Sequence, residues 1–122
     1  DRSVSRGLGD VYKRQEYTDA WVRKGVTLFN ENQYQEAEEC LNRAVRLRPA
    51  EFKTVYNRGK LRLKLGNIEG AIADLDKATT LKPEHAGAHE LFGDALMQAG
   101  KEVEAALQWR LAEELRKKRS SK

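Results

Sequence analysis

Apolar residues in this chain follow helical spacing in paired runs, each pair divided by a short break at Asn32-Gln33, Gly66-Asn67 or Gly100-Lys101. Such spacing lays one apolar stripe along each run, so every pair predicts helix, turn, helix. Asn and Gly most readily enter the left-handed conformation that ends a helix, which sets where each first helix stops. Pro49 and Pro83 end the second helices of the first two pairs, because proline lacks an amide donor and disfavours helix at the residue before it.

The pairs repeat. Gly25, Gly59 and Gly93 stand 34 residues apart; Ala37, Ala71 and Ala105 follow, then Leu41, Leu75 and Trp109, then Ala44, Ala78 and Ala112, all in one register. Agreement of several columns at one period defines a repeat protein. A glycine midway along a helix costs about 1 kcal/mol relative to alanine. The expected compensation is close approach of the second helix, with the alanine columns as the matching surface.

These columns resemble the tetratricopeptide repeat, whose 34-residue unit has small residues at its eighth, twentieth and twenty-seventh positions, a large apolar one at the twenty-fourth and proline at the thirty-second. In that register the units are 18–51, 52–85 and 86–119, after a leader 1–17 and before a tail 120–122. The resemblance implies an all-α fold, a right-handed superhelical array of three antiparallel helix pairs (an α-solenoid). Three units are about the minimum for such an array to be stable. Departures from the pattern are specific. The aromatic at position four is Trp21 but becomes Val55 and His89, and position eleven reads Leu28, Arg62, Leu96. Arg62 must snorkel or find a partner. Lys117 stands where the third unit would have proline.

Residues 1–15 fit none of the columns, and Ser3 to Gln15 resembles translated adapter read-through. The leader is read as non-native or flexible and set aside, the alternative being a genuine, partly helical leader. The only methionine, Met97, is internal, which favours a fragment. No stretch approaches the roughly 20 apolar residues that cross a bilayer, and the single Cys40 excludes an intramolecular disulfide. A soluble, cytoplasmic protein in a reducing compartment is the expectation. Cys40 itself reads as a small semi-buried helix residue.

Charge changes the picture little. Arg116, Lys117, Lys118, Arg119 and Lys122 bring five positive charges and residues 1–17 a net one, which exceeds the chain's total of +4 and leaves residues 18–115 at −2. The basic run reads first as a solvated helix end favoured by the macrodipole. Its use by a nucleic-acid or membrane-surface accessory protein is the alternative function, and a structural segment of a longer repeat protein is another.

The resemblance also implies a concave groove lined by the first helices, at positions two, five, nine, twelve and thirteen of each unit. Carried over, the first helix offers Asp19, Val22, Val26, Phe29 and Asn30, the second Lys53, Tyr56, Lys60, Leu63 and Lys64, the third Gly87, Glu90, Asp94, Met97 and Gln98. The surface runs from apolar through basic to acidic. It suggests a non-catalytic protein-interaction module whose groove takes an extended or helical peptide with apolar anchors and an acidic stretch. Phe29 and Leu63 would anchor it; Lys53, Lys60 and Lys64 would attract the acids, with Tyr56 as a hot spot. The competing reading pairs Lys60 with Asp94 and leaves the other lysines solvated.

Family members that hold acidic chaperone tails use a two-carboxylate clamp. The corresponding places here are Val22, Val26, Asn57, Gly87 and Leu91, of which Asn57 alone matches, so chaperone-tail binding in that mode is not expected. His85 and His89 are four apart, but Pro83 puts His85 in a turn and no further ligand lies nearby, so no metal is expected. Neither a phosphate-binding loop nor a nucleophile motif is present, which points away from an enzyme, a cofactor or a small-molecule substrate. Leu107, Leu111 and Leu115 form a stripe on the last helix, where earlier units have Arg43 and Lys77 in the Leu111 column. It reads as a homodimer or partner face, or as a face covered by further sequence.

Overall fold

A computed structural model describes residues 2–120, with side chains from Lys13 onward. Among the described residues the chain is helical throughout: α1 Arg2–Asn30, α2 Tyr34–Leu47, α3 Phe52–Leu65, α4 Ile68–Leu81, α5 Ala86–Gln98 and α6 Glu102–Ser120. Consecutive helices pack as the pairs α1–α2, α3–α4 and α5–α6, and α2–α3 and α4–α5 join one pair to the next. The first helices α1, α3 and α5 also touch in sequence order, which makes one face of the array. The stretch read as a leader is continuous with α1.

Each turn inside a pair is closed the same way. Asn32, Gly66 and Gly100 adopt φ of 63°, 85° and 82°. The next amide then reaches back to the last helical turn: Gln33 N donates to Leu28 O, Asn67 N to Arg62 O and Lys101 N to Leu96 O, at 2.8–2.9 Å. These are the bonds of a Schellman ending, which satisfies carbonyls that the helix leaves open. Two helix starts are capped by side chains, α4 by Asn67 Oδ1 accepting from Gly70 N and α5 by His85 Nδ1 accepting from Ala88 N.

The core is shared between units. Val22, Ala37, Leu41, Ala44 and Leu61 form one cluster, in which the first pair meets the second. Ala71, Leu75 and Ala95 form the other, in which the second pair meets the third. The glycines do admit close approach of the second helix, with Ala37 O 3.3 Å from a Cβ built on Gly25 and Ala105 O 3.1 Å from one on Gly93, and the large column adds nearer contacts. A Cβ on Gly25 would lie 2.9 Å from Leu41 Cγ, one on Gly59 2.9 Å from Leu75 Cγ, and one on Gly93 2.5 Å from the Trp109 ring. The large column rests on the glycines, while Ala37, Ala44, Ala71, Ala78 and Ala105 are fully buried on the same second helices.

Lys117 has the consequence its position implies. Helices α2 and α4 stop at Leu47 and Leu81, ahead of Pro49 and Pro83, whereas α6 passes the matching Leu115 and runs to Ser120. Nothing at Lys117 removes a donor or clashes with the preceding turn.

Candidate peptide groove

Helices α1 and α3 bring Phe29, Lys60, Leu63 and Lys64 to one cleft of about 590 Å³, completed by Asn30, Asn32 and Tyr34 at one side and Leu91 and Gln98 of α5 at the other. Phe29 and Tyr34 pack at 5.5 Å between ring centroids, and the Tyr34 hydroxyl donates to Asn32 Oδ1. The Lys60 ammonium lies 5.6 Å from the centroid of Phe29. A cation over an aromatic face, beside a second lysine, gives the cleft an apolar floor and a positive rim. Val26 and Asn57 line a small hollow beside it, shared with Phe29 and Lys60. Asn57 Nδ2 donates to Lys53 O, so that amide is partly committed to its own helix.

Several of the sequence-derived groove residues stand elsewhere. Val22 is 1% exposed and belongs to the core with Leu41 and Leu61, a correction to its groove assignment. It shares a face of α1 with Val26 and Phe29, but it is closed into the cluster with Leu41 of α2 and Leu61 of α3, while Val26 and Phe29 pack against that cluster only partly buried. Lys60 does not pair with Asp94. Asp94 accepts from the Trp109 indole Nε1 at 3.1 Å, so the acid at this place is tied to the large column of its own unit. Glu90 pairs with Arg116 of α6, which neutralises part of both the acidic end of the groove and the basic run. Met97 is 37% exposed but does not line the cleft. Lys53 is exposed.

Tyr56 lies near the opposite end of α3, in an aromatic group. Its ring stacks on Phe52 at 5.2 Å and meets His85 edge-on at 5.1 Å, and Lys82 covers Phe52 at 4.9 Å. Burial pushes the Tyr56 hydroxyl above its ordinary range, and the nearby Glu90 carboxylate adds to this. The site thus divides into a lysine-rich cleft near the end of α3 and an aromatic group at its start.

Tyr34 was not legible as a groove residue. It stands on a second helix, and only the tight turn at Asn32 swings it against Phe29. Arg62 does find partners: its Nη1 donates to Asp74 Oδ2 and its Nε to Glu38 Oε2. Arg58, which sequence reasoning passed over, grips Asp74 with two bonds of 2.9 Å and donates to Asn42 as well. The two histidines also have structural roles. His85 caps α5, and His89 is buried, bonded through Nε2 to Pro83 O and through Nδ1 to the Gln108 amide, both at 2.7 Å. Among the described residues no group of three His, Cys, Asp or Glu is placed to hold a metal. No described helix is long and apolar enough to cross a membrane.

On the exposed side of α6, Leu107 is 54% exposed and Val103 85%, while Leu111 and Leu115 are half-buried. The basic residues Arg116 to Arg119 that follow are helical, with Lys117 paired to Glu113 at 3.3 Å.

Comparison with known proteins agrees with this geometry. The tetratricopeptide-repeat family model matches residues 25–92, more than half of the chain, and the chain belongs to that family. A human FK506-binding protein-like protein is 36% identical over 75 residues, a match covering 62% of this chain and 21% of the relative. The BBSome complex member BBS4 of Xenopus tropicalis is 30% identical over 81 residues, covering 66% of this chain and 16% of the relative. The chain therefore spans about a fifth of the length of these curated relatives or less. Among solved structures, MamA superposes with a TM-score of 0.80 at 25% identity over 86% of this chain and 61% of MamA. The second repeat domain of Spaghetti (RPAP3), bound to the HSP90 peptide SRMEEVD, superposes at 0.79 with 25% identity over 85% of this chain and 98% of that domain.

Proposed function

We propose that this chain is a protein-interaction module and that the cleft between α1, α3 and α5 receives a short peptide carrying an apolar side chain next to acidic residues. The observation that carries this reading is the joint placement of Phe29, Leu63, Lys60 and Lys64 around one cleft. An apolar anchor would fill the space over Phe29 and Leu63, where displaced water supplies the affinity. The two ammonium groups would attract the acids, contributing more to association rate and specificity than to affinity. That structurally similar repeat domains are seen with an acidic peptide supports the ligand class.

The mode differs from a two-carboxylate clamp. At the clamp places Val22 is core, Leu91 is half-buried against the second core cluster, and Val26 and Gly87 carry no charge. The acids of a bound peptide would instead meet Lys60 and Lys64, one helical turn apart on α3. A fluorescent peptide that pairs one leucine with three glutamates tests this. Its affinity falls with added salt and drops about tenfold in the Lys60→Glu, Lys64→Glu double variant. Affinity and salt dependence unchanged by that double substitution would remove the cleft from the binding site.

A further inference from the structure

We infer that α6 pairs with the α6 of a second copy of this chain, antiparallel, about a two-fold axis at Leu111. Neither the stripe nor the cleft beside its end shares a lining residue with the peptide cleft, and the inference does not rest on that reading. The first support is a comparison of columns. The places of Leu107 and Leu111 are held by Glu39 and Arg43 on α2 and by Ala73 and Lys77 on α4, all of them exposed. They are exposed although α3 packs beside α2 and α5 beside α4. A following unit reaches a different face, marked on α2 by Glu38 and Asn42, which bond to Arg62 and Arg58. The α6 counterparts of Glu38 and Asn42 are Ala106 and Arg110. Leu115 stands where α2 and α4 also have leucine, Leu47 and Leu81, but another repeat stacked on α6 in the same manner would leave Leu107 and the open side of Leu111 uncovered, so these two call for a different occupant.

The second support is that the stripe is a palindrome. Leu107 and Leu115 lie four residues either side of Leu111, and Glu104 and Lys118 lie seven either side. Spacings of four and seven keep all five on one helical face. Antiparallel pairing about Leu111 sets Leu111 on its own copy, Leu107 on the partner's Leu115 twice, and Glu104 opposite the partner's Lys118 twice. Parallel pairing would set glutamate on glutamate and lysine on lysine. Lys118 also makes a contact within its own chain, and an ammonium has three donors to share. The surface is thus self-complementary in shape class and in charge, as an isologous interface requires.

The third support is space to receive it. A cleft of about 580 Å³ opens beside Leu115 and Lys118, between the end of α6 and the α4–α5 turn at Lys82 and His85. It lies where the partner's Leu107 would arrive. The seam from Glu104 to Lys118 is only about 21 Å long at 1.5 Å per residue. An interface that short is below the usual size for a stable complex, so a weak, concentration-dependent dimer is expected.

Sedimentation equilibrium on the whole chain from about 10 μM to 1 mM reads this directly. A monomer–dimer equilibrium is expected, and Leu111→Lys, which sets two charges together on the axis, gives a monomer with unchanged helical circular dichroism. Glu104→Lys or Lys118→Glu alone weakens the dimer about tenfold by opposing like charges, and the double exchange restores it. The groove variant with Lys60→Glu and Lys64→Glu dimerises as the parent does. A monomer throughout the range overturns the inference. So does a dimer in which Leu111→Lys has no effect, or in which the double charge exchange is no better than the single ones.

Discussion

At the residue scale, Gly93 shows why small residues recur. Alanine there gains about 1 kcal/mol of helix propensity, but its methyl would lie 2.5 Å from the Trp109 ring. The nearest atoms above Gly25 and Gly59 are leucine Cγ carbons at 2.9 Å, a milder clash, and the indole is further held by its bond to Asp94. Gly93→Ala therefore destabilises the chain by about 2 kcal/mol net, an overpacking cost, and more than Gly25→Ala or Gly59→Ala does; urea unfolding of the three variants checks the order. Cys40 offers a second test. Burial raises its thiol above the ordinary 9.0, so folding disfavours the thiolate. The sign follows from linkage: this contribution to stability is complete below about pH 9 and is lost as pH rises through the raised value. Tyr56 acts with the same sign above its ordinary 10.0. Melting temperature should fall above pH 9, and a thiol reagent at pH 8 should modify Cys40 slowly until the chain is unfolded.

At the element scale, the columns located every helix break, because the left-handed residues and the prolines that make those breaks are local signals. Arg62 announced itself as a charge in an apolar column, and it did need partners. What remained illegible was set by packing between elements. Val22 is closed over by Leu41 and Leu61 although its unit position is a groove position, and nothing in the spacing says that Asp74 of α4 is gripped by two arginines of α3. That network ties the first pair to the second, since Glu38 and Asn42 of α2 bond to the same arginines. Asp74 is 4% exposed. Removing it in Asp74→Ala leaves Arg58 with no carboxylate and Arg62 with Glu38 alone, and costs about 3 kcal/mol. Because coupling between neighbours holds a repeat array together, hydrogen exchange in that variant should rise in α1 and α2 before it rises in α5 and α6. Replacing the pair by Arg58→Met with Asp74→Leu should cost less than Asp74→Ala alone, since no charge of that pair is left unpaired.

At the scale of the whole molecule, the chain's positive charge is concentrated in the basic run from Arg116 onward, and residues 18–115 carry a net −2. Two of those cations already meet acids, Arg116 with Glu90 and Lys117 with Glu113. Retention on a heparin column should therefore be modest and salt-sensitive, and truncation after Leu115 should abolish it while leaving acidic-peptide binding by Lys60 and Lys64 in place. The groove's chemistry was only half visible from sequence. Phe29, Leu63 and the two lysines were marked by unit position, but the cleft itself depends on Tyr34 and Asn32, which the turn brings in from outside the first helices.

The missing proline at position 117 also makes α6 a lever. A helix that passes its usual stop keeps its heading fixed by the packed part of the array, with each further helical residue advancing it about 1.5 Å. A fluorophore or folded domain joined to Ser120 through helix-forming residues would be held at a set distance and angle. The array would then serve as a ruler, reporting any flexing of its helix pairs as a change in energy transfer.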